Sequence, residues 1–233
     1  LSRRQRQMCI RDSQMGDESG YLVTKDQPTK IAAMEAIWET HEAPAPLTLF
    51  AIPDEAAQTN HAQIDVPWLF GLMGTRSLST EIPGIKELTA QAEQRIVNGQ
   101  KAIGVLEQLR KDPANEQLRE QFLAVRDDLG FGLLLKRYTN DVNAATPEMI
   151  KQAAADTIPS VTPMFWSFRI MVGSGLAMAL VFVLGLFYSF RNEIAEKAWY
   201  LRLAVLALPL PWIASEAGWF VAEYGRQPWT IYN

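Results

Sequence analysis

Two carboxylates and an aromatic side chain share one face of an apolar stretch near the end of the chain. Glu216, Trp219 and Glu223 recur at steps of three and four residues, the spacing of neighbours on a helix surface. A carboxylate in a membrane helix costs about 2.5–3.5 kcal/mol at the bilayer centre, so it usually faces a partner, an ion path or a cofactor. Arg226, one turn beyond Glu223, offers an ion pair at the membrane surface. Such a pair would not explain Glu216, which is expected to lie deeper.

A second candidate stands at the start of the preceding apolar run, where FRIM places Arg169 two residues before Met171. One interpretation is an arginine that extends its charge to the membrane surface and a methionine that packs, which is the common role of an isolated methionine. The other is a thioether ligand to haem iron, because His/Met ligation suits an electron-transfer haem. Spacing alone does not decide between them.

The elements that carry these residues are predicted to be membrane helices. Residues 170–190 contain no charge, and at 1.5 Å per residue they span about 31 Å, one bilayer core. A second span, about 203–224, is interrupted by Pro209 and Pro211, which permit a kink.

Charge predicts the orientation of these spans, because loops rich in Lys and Arg stay on the cytoplasmic side. Arg191, Lys197 and Arg202 lie in or beside the connecting loop, so the polar region would face the opposite side. The predicted segments are an outer region 14–162, a span 163–191, a cytoplasmic loop 192–202, a span 203–224 and the start of an outer loop 225–233.

The polar region reads as mostly helical. Apolar periodicity and helix-start signals predict helices at about 28–39, 84–110, 116–130 and 147–157. Two short strands are predicted at 47–52 and 62–68. The net charge of −4 gives no indication of nucleic-acid binding, and a single cysteine excludes a disulfide framework.

The first residues, LSRRQRQMCIRDS at 1–13, match nothing downstream. No apolar segment follows their arginines, as a signal peptide would require. They resemble translated sequencing-adapter read-through, so we expect a non-native leader. We also expect the chain to be a fragment of a longer protein.

Four stretches together resemble subunit I of the cytochrome bd-type quinol oxidases, over about residues 16–229. They are GDESGY followed by TKIAAMEAIWET, then GLLLKRYT, FRIM and GWFVAEYGRQPW. The resemblance implies an all-α integral membrane protein, a piece of a transmembrane helix bundle with a mostly helical extramembrane loop domain. Residues 14–162 would be the family's extended quinol-binding loop, on the periplasmic side.

The resemblance also implies cofactor ligands. Met171 matches the axial methionine of a low-spin haem b, and Glu223 matches the glutamate associated with the iron of a high-spin haem b. Trp219 matches a tryptophan packed among the haems. Arg169 and Arg226 match arginines beside the haem groups, where a guanidinium can pair with a propionate. A third haem would be haem d or a further haem b.

Lys30 and Glu35 match the loop lysine and glutamate implicated in quinol oxidation. Their spacing places them roughly 140° apart on a helix, so they need not touch. Judged without the resemblance, a lysine and a glutamate on a polar helix are usually solvated. His41 and His61, the histidines of the sequence, lie in the polar region and are expected at its surface. The family's histidine ligands would therefore lie outside this chain.

The implied reaction is oxidation of ubiquinol or menaquinol and reduction of O2 to water in the bacterial inner membrane. The implied partners are the lipid bilayer, oxidase subunit II and small subunits, with no nucleic acid. Two other classes remain open: a non-redox transporter or channel subunit with Glu216 and Glu223 on an ion path, and a structural subunit anchored by a helical hairpin. Absence of bound haem would favour the first of these.

Overall fold

The computed structural model describes the backbone of residues 3–229 and the side chains of residues 14–16 and 18–229. Residues 1 and 2 of the predicted leader, and 230–233 of the predicted outer loop, lie outside the described residues. Backbone alone is described for 3–13, where helix α1 begins. The non-native origin of this segment stays a prediction.

Helices dominate the described chain. In order they are α1 (Arg3–Asp26), α2 (Pro28–Glu35), α3 (Ile85–Lys111), α4 (Glu116–Val125), α5 (Leu129–Leu133), α6 (Pro147–Ala155), α7 (Val161–Phe190), α8 (Ala198–Leu206) and α9 (Leu210–Tyr224), with a π-helical turn at Gly71–Thr75. The mostly helical prediction is confirmed. Its strict all-α form is not, because one β-hairpin is present.

The hairpin consists of β1 (Leu47–Asp54) and β2 (Thr59–Val66), paired antiparallel. Asp54 organises the turn, since its Oδ1 accepts from the backbone N–H groups of Ala56 and Ala57, both at 3.0 Å. The predicted second strand, 62–68, started too late and ended too late. Pro67 has no N–H to donate to the ladder, so pairing stops at Val66.

Helix α2 ends four residues earlier than its apolar pattern predicted. Ala36 takes a left-handed conformation, with φ 52°, and its N–H donates to Ala33 O at 3.3 Å. The Ile37 N–H donates back to Ala32 O at 2.8 Å, which completes a closing turn of the Schellman kind. The chain then runs beside the start of α3, where the Ile85 N–H donates to Ile37 O at 2.9 Å.

Two helices are long and apolar enough to cross a membrane: Val161–Phe190, and Ala198–Tyr224, which comprises α8 and α9. The break between α8 and α9 falls at Pro209, as the prolines predicted. Helices α7 and α9 pack side by side. Their outward surfaces carry large exposed apolar side chains, including Leu176, Phe182 and Trp212, as expected for helices surrounded by lipid or by further helices.

Two apolar cores stabilise the region outside these helices. The first joins α2, the hairpin, the start of α3, the first turns of α7 and Val221 of α9. The second lies between α3, α5 and α6 and contains Ala92, Ile96, Ile103, Leu134, Leu135, Ala153 and Ala154. The first core therefore attaches the polar region directly to the membrane helices.

Candidate functional site

Helix α2 joins the polar region to both membrane helices. It is largely buried although it carries Lys30 and Glu35, whose exposed fractions are 8% and 2%. Lys30 contacts Ala222 near the end of α9, whereas Glu35 contacts Arg169 near the start of α7. These residues therefore contact different helices, an outcome that their spacing allowed but did not predict. Both side chains are buried, although a lysine and a glutamate on a polar helix are usually solvated.

The Glu35 carboxylate is held through one of its two oxygens. Oε2 accepts a hydrogen bond from Arg169 Nη2 at 2.7 Å, and the arginine side chain is itself only 13% exposed. Oε1 is buried and has no hydrogen-bond partner among the described residues. Burial raises the pKa of Glu35 to about 7, although the neighbouring Arg169 opposes that shift. Glu35 is thus a buried group that can hold or release a proton near neutral pH.

The raised pKa of Glu35 predicts that stability falls as pH rises. The folded chain binds the Glu35 proton more tightly than the unfolded chain, whose carboxyl has an ordinary pKa near 4.5. The contribution is complete below pH 4.5 and is lost progressively as pH rises through about 7. It amounts to about 3 kcal/mol. Thermal unfolding of the chain in detergent at pH 5 and pH 8 measures it, and Glu35→Gln should reduce the difference. An equal difference in both proteins would contradict the assignment.

Arg169 is fixed by groups of the polar region. It donates through Nη1 to Met34 O, and through Nη2 to Thr48 O as well as to Glu35. Its guanidinium carbon also lies 3.6 Å from the centroid of the Phe165 ring, a cation–π contact. The end of α2 and strand β1 are thereby attached to α7 at one side chain.

Lys30 lies at the opposite end of α2, against the last turn of α9. Its Nζ donates to Ala222 O at 3.3 Å, and a Cβ at Gly225 would lie 3.0 Å from its Cε. Burial lowers the pKa of Lys30, and the nearby Glu223 partly offsets this effect. The absence of a side chain at Gly225 leaves room for the lysine to approach the helix.

The predicted ion pair at the end of α9 is present. Glu223 Oε2 accepts from Arg226 Nη2 at 2.6 Å and from its Nε at 2.9 Å. Both side chains are half-buried. Trp219 and Glu216 are exposed on the same helix, Trp219 by 64%. In the described chain, then, Glu223 has a cationic partner and Trp219 presents its ring outward.

Met171 lies at the contact between the two membrane helices. Its Sδ would be 3.0 Å from a Cβ placed at Gly218, so the thioether occupies space that the glycine leaves open. Met171 lies two residues beyond Arg169, and Gly218 lies five residues before Glu223. The thioether and the carboxylate thus belong to neighbouring, packed helices.

Comparison with known proteins shows the family of this chain. The family model for cytochrome bd terminal oxidase subunit I matches residues 8–233. The chain belongs to this family. It is 41% identical over 220 residues to cytochrome bd-II ubiquinol oxidase subunit 1 of Escherichia coli (strain K12), which covers 94% of this chain and 43% of that protein. It is 28% identical over 207 residues to cytochrome bd ubiquinol oxidase subunit 1 of Bacillus subtilis (strain 168), covering 89% and 32%. The chain therefore spans less than half the length of these relatives.

The donor chemistry of a cytochrome bd subunit I fits the residues present. The thioether of Met171 and the carboxylate of Glu223 are groups that can approach haem iron, and Arg226 offers a cation for a propionate. The small Gly218 keeps the helices close at the thioether. Both histidines of the sequence lie in the polar region: His61 is exposed, and His41 is half-buried beside Ile82. The thioether of Met171 and the carboxylate of Glu223 are therefore compatible in their chemistry with the haem cofactors of this family.

Other contributors to the site were missed from the sequence. The carbonyls of Met34 and Thr48 receive Arg169, and backbone acceptors leave no signature in side-chain type. Phe165 could have been found, because it precedes Arg169 by four residues and so lies on the same helix face. Gly218 carried a weaker signal, as a glycine inside an apolar helix often marks a close approach.

Proposed function

We propose that this chain is the part of a respiratory terminal oxidase that carries the quinol-binding loop and two following membrane helices. Its family and the names of its relatives, two quinol oxidase subunits, support this proposal. The loop would lie on the periplasmic side of the bacterial inner membrane, with the positively charged connection between the spans in the cytoplasm. Oxidase subunit II, small subunits and the lipid bilayer would complete the assembly.

The observation that carries the proposal is the buried Glu35 carboxyl with one oxygen unpartnered among the described residues. Oxidation of a quinol releases two electrons and two protons, so the site needs a group that takes a proton as the electrons leave. A carboxylate whose pKa has been raised to about 7 is suited to that task, because a base works best near the operating pH. Glu35 would accept a quinol hydroxyl proton at Oε1 and pass it to the outer side.

Lys30, at the other end of α2, would act as a hydrogen-bond donor to the quinol. Its ammonium has three hydrogens, and one of them is directed at Ala222 O. A further hydrogen could bond a quinol oxygen and hold the ring in place. The site would accept ubiquinol or menaquinol, which share the hydroxyl chemistry on which this assignment depends.

Residues on the two membrane helices would hold the haems. Met171 would hold a low-spin haem b through its sulfur, and Glu223 would hold a high-spin haem b through its carboxylate. Trp219 would pack beside the haems, and Arg226 would offset negative charge. The haems, including a third of type d or b, supply one-electron transfer and the reduction of O2 when bound. Two quinols provide the four electrons and release four protons outside, and one O2 takes up four protons from the cytoplasm to give two waters.

Replacing Glu35 by glutamine in the complete oxidase is expected to lower quinol-driven oxygen consumption by about 10²-fold, the contribution typical of a positioned base. Glutamine keeps the size of the side chain and can still accept from Arg169, but it cannot take up a proton. Oxygen-electrode assays with excess quinol measure the loss. Visible spectra of the same preparation should show unchanged haem content.

Glu39→Gln is the matched control, because it makes the same change four residues away. Glu39 is exposed and pairs with Lys86 at 2.7 Å on the surface. Its turnover should stay at the wild-type level. Wild-type turnover in Glu35→Gln would remove Glu35 from the mechanism. A folded complex without haem bands would instead favour the transporter or channel interpretation.

A further inference from the structure

We propose that Arg169 is the positioning residue of the quinol site: it fixes the Glu35 carboxylate so that Oε1 is the atom that accepts the proton. This role rests on the proposed function of Glu35. It differs from the role implied by the family resemblance, in which Arg169 belongs beside a haem group. The two terminal nitrogens of Arg169 donate hydrogen bonds to Met34, Glu35 and Thr48 of the quinol-binding loop.

The guanidinium is held independently of the charge on Glu35. Two of its three acceptors, Met34 O and Thr48 O, are neutral backbone carbonyls from separate segments of the loop. The Phe165 ring lies against the guanidinium and is fully buried in the first core. None of these contacts involves the charged group of Glu35. Arg169 therefore provides a fixed reference point for a group whose own charge changes.

The fork geometry determines which carboxylate oxygen remains without a hydrogen-bond partner among the described residues. Arg169 Nη2 donates a hydrogen bond to Glu35 Oε2 at 2.7 Å. Glu35 Oε1 accepts no hydrogen bond from the described residues. A buried oxygen without a donor has the most to gain from a proton. A lysine could keep the positive charge, but its single nitrogen cannot reproduce a planar fork that reaches three acceptors. The position of Glu35 should therefore depend on the shape of Arg169, as well as on its charge.

A double-mutant cycle in the complete oxidase tests this role. Arg169→Lys is expected to lower quinol-driven turnover roughly 10- to 100-fold, because a small misplacement of a reacting group has effects of that size. In the Glu35→Gln background the same change should have little further effect, since residues that act as one unit are not additive. With an artificial electron donor that reduces the haems without quinol, Arg169→Lys should lose less oxygen consumption than it loses with quinol.

Infrared difference spectroscopy supplies a second measurement. If Arg169 served only to stabilise the fold, the carbonyl band of Glu35 would not shift in Arg169→Lys. The carbonyl band of protonated Glu35 is identified by its absence in Glu35→Gln. This band should shift in Arg169→Lys, because the hydrogen bonding of the carboxyl changes. Arg137→Lys is the matched control: Arg137 is an exposed arginine paired with Asp156 at 2.9 Å, and the band and turnover should both be unchanged.

The outcomes separate this inference from the proposed function. Additive losses in the cycle, with an unmoved carbonyl band, would overturn the positioning role and leave Glu35 as the base. Normal turnover in Glu35→Gln would overturn the proposed function itself. Should Arg169→Lys fail to assemble, Phe165→Leu removes the ring under the guanidinium and leaves the charge in place. Phe165→Leu should lower quinol-driven turnover by a smaller factor and should have little further effect in the Glu35→Gln background. Additive losses of turnover in that cycle would equally reject the proposal.

Discussion

Replacement of Met171 by leucine in the complete oxidase is expected to abolish the low-spin haem b signal in a reduced-minus-oxidised visible spectrum. Leucine has nearly the volume of methionine, so packing against Gly218 should change by less than about 1.5 kcal/mol. It has no thioether sulfur, however, and so cannot ligate iron. The expected loss is therefore confined to ligation, with the protein still assembled.

Met164→Leu is the matched control for this experiment. Met164 lies two turns earlier on α7, is fully buried, and packs close to Gly225, which directly follows α9. The same change at that position should preserve the whole spectrum, because packing is its only visible role. A low-spin signal that survives in Met171→Leu would show that Met171 packs rather than ligates. A signal lost in both variants would indicate disturbed helix packing.

The membrane helices could be predicted because their evidence is local. An uncharged run of sufficient length, with arginines at both ends, predicted a span at 163–191, and α7 runs over Val161–Phe190. The break at Pro209 follows from the missing N–H and the fixed φ of proline. Amphipathic periodicity likewise placed α3 within one residue of its observed ends.

The burial of α2 could not be predicted, because what covers it is distant in the sequence. Lys30 contacts a carbonyl 192 positions further on, and Glu35 contacts an arginine 134 positions further on. Lysine and glutamate side chains are charged and usually lie in solvent. The family resemblance selected these residues, but it did not place Lys30 on α9 or Glu35 on α7. Their contacts follow from tertiary packing, to which local periodicity is insensitive.

The division of α4 and α5 has a similar cause. The apolar pattern predicted one helix as far as Gly130, whereas α4 ends at Val125 and α5 begins at Leu129. The chain bends there to bring α5 across α3, and the crossing requires glycine on both helices. The two glycines are Gly99 on α3 and Gly132 on α5, and neither shows this role in the sequence alone. Their pairing becomes visible only when the two helices are seen together.

Replacement of Gly99 by alanine is expected to destabilise the helical part of the loop by about 3 kcal/mol or more, the upper range for an overpacked core. A Cβ at this position would lie 2.2 Å from Asp128 O and 2.3 Å from Gly132 N. Both are backbone atoms and cannot turn aside as a flexible side chain could. Helix α5 would have to move away from α3, and the Arg95–Asp128 ion pair, at 2.6 Å, would be disturbed with it. A lower midpoint of thermal unfolding and faster proteolysis of the loop measure the effect.

Gly104→Ala, five residues further along α3, separates this crowding from the general effect of alanine in a helix. The nearest atom to a Cβ there is Asn143 Oδ1 at 3.3 Å, the end of a side chain that can rotate. Alanine is favoured over glycine inside a helix by about 1 kcal/mol, so this variant should unfold at or slightly above the wild-type temperature. If Gly99→Ala behaved in the same way, the two backbones would not cross as closely as described. A large loss confined to Gly99 would instead establish that backbone contact between α3 and α5 holds the loop in shape.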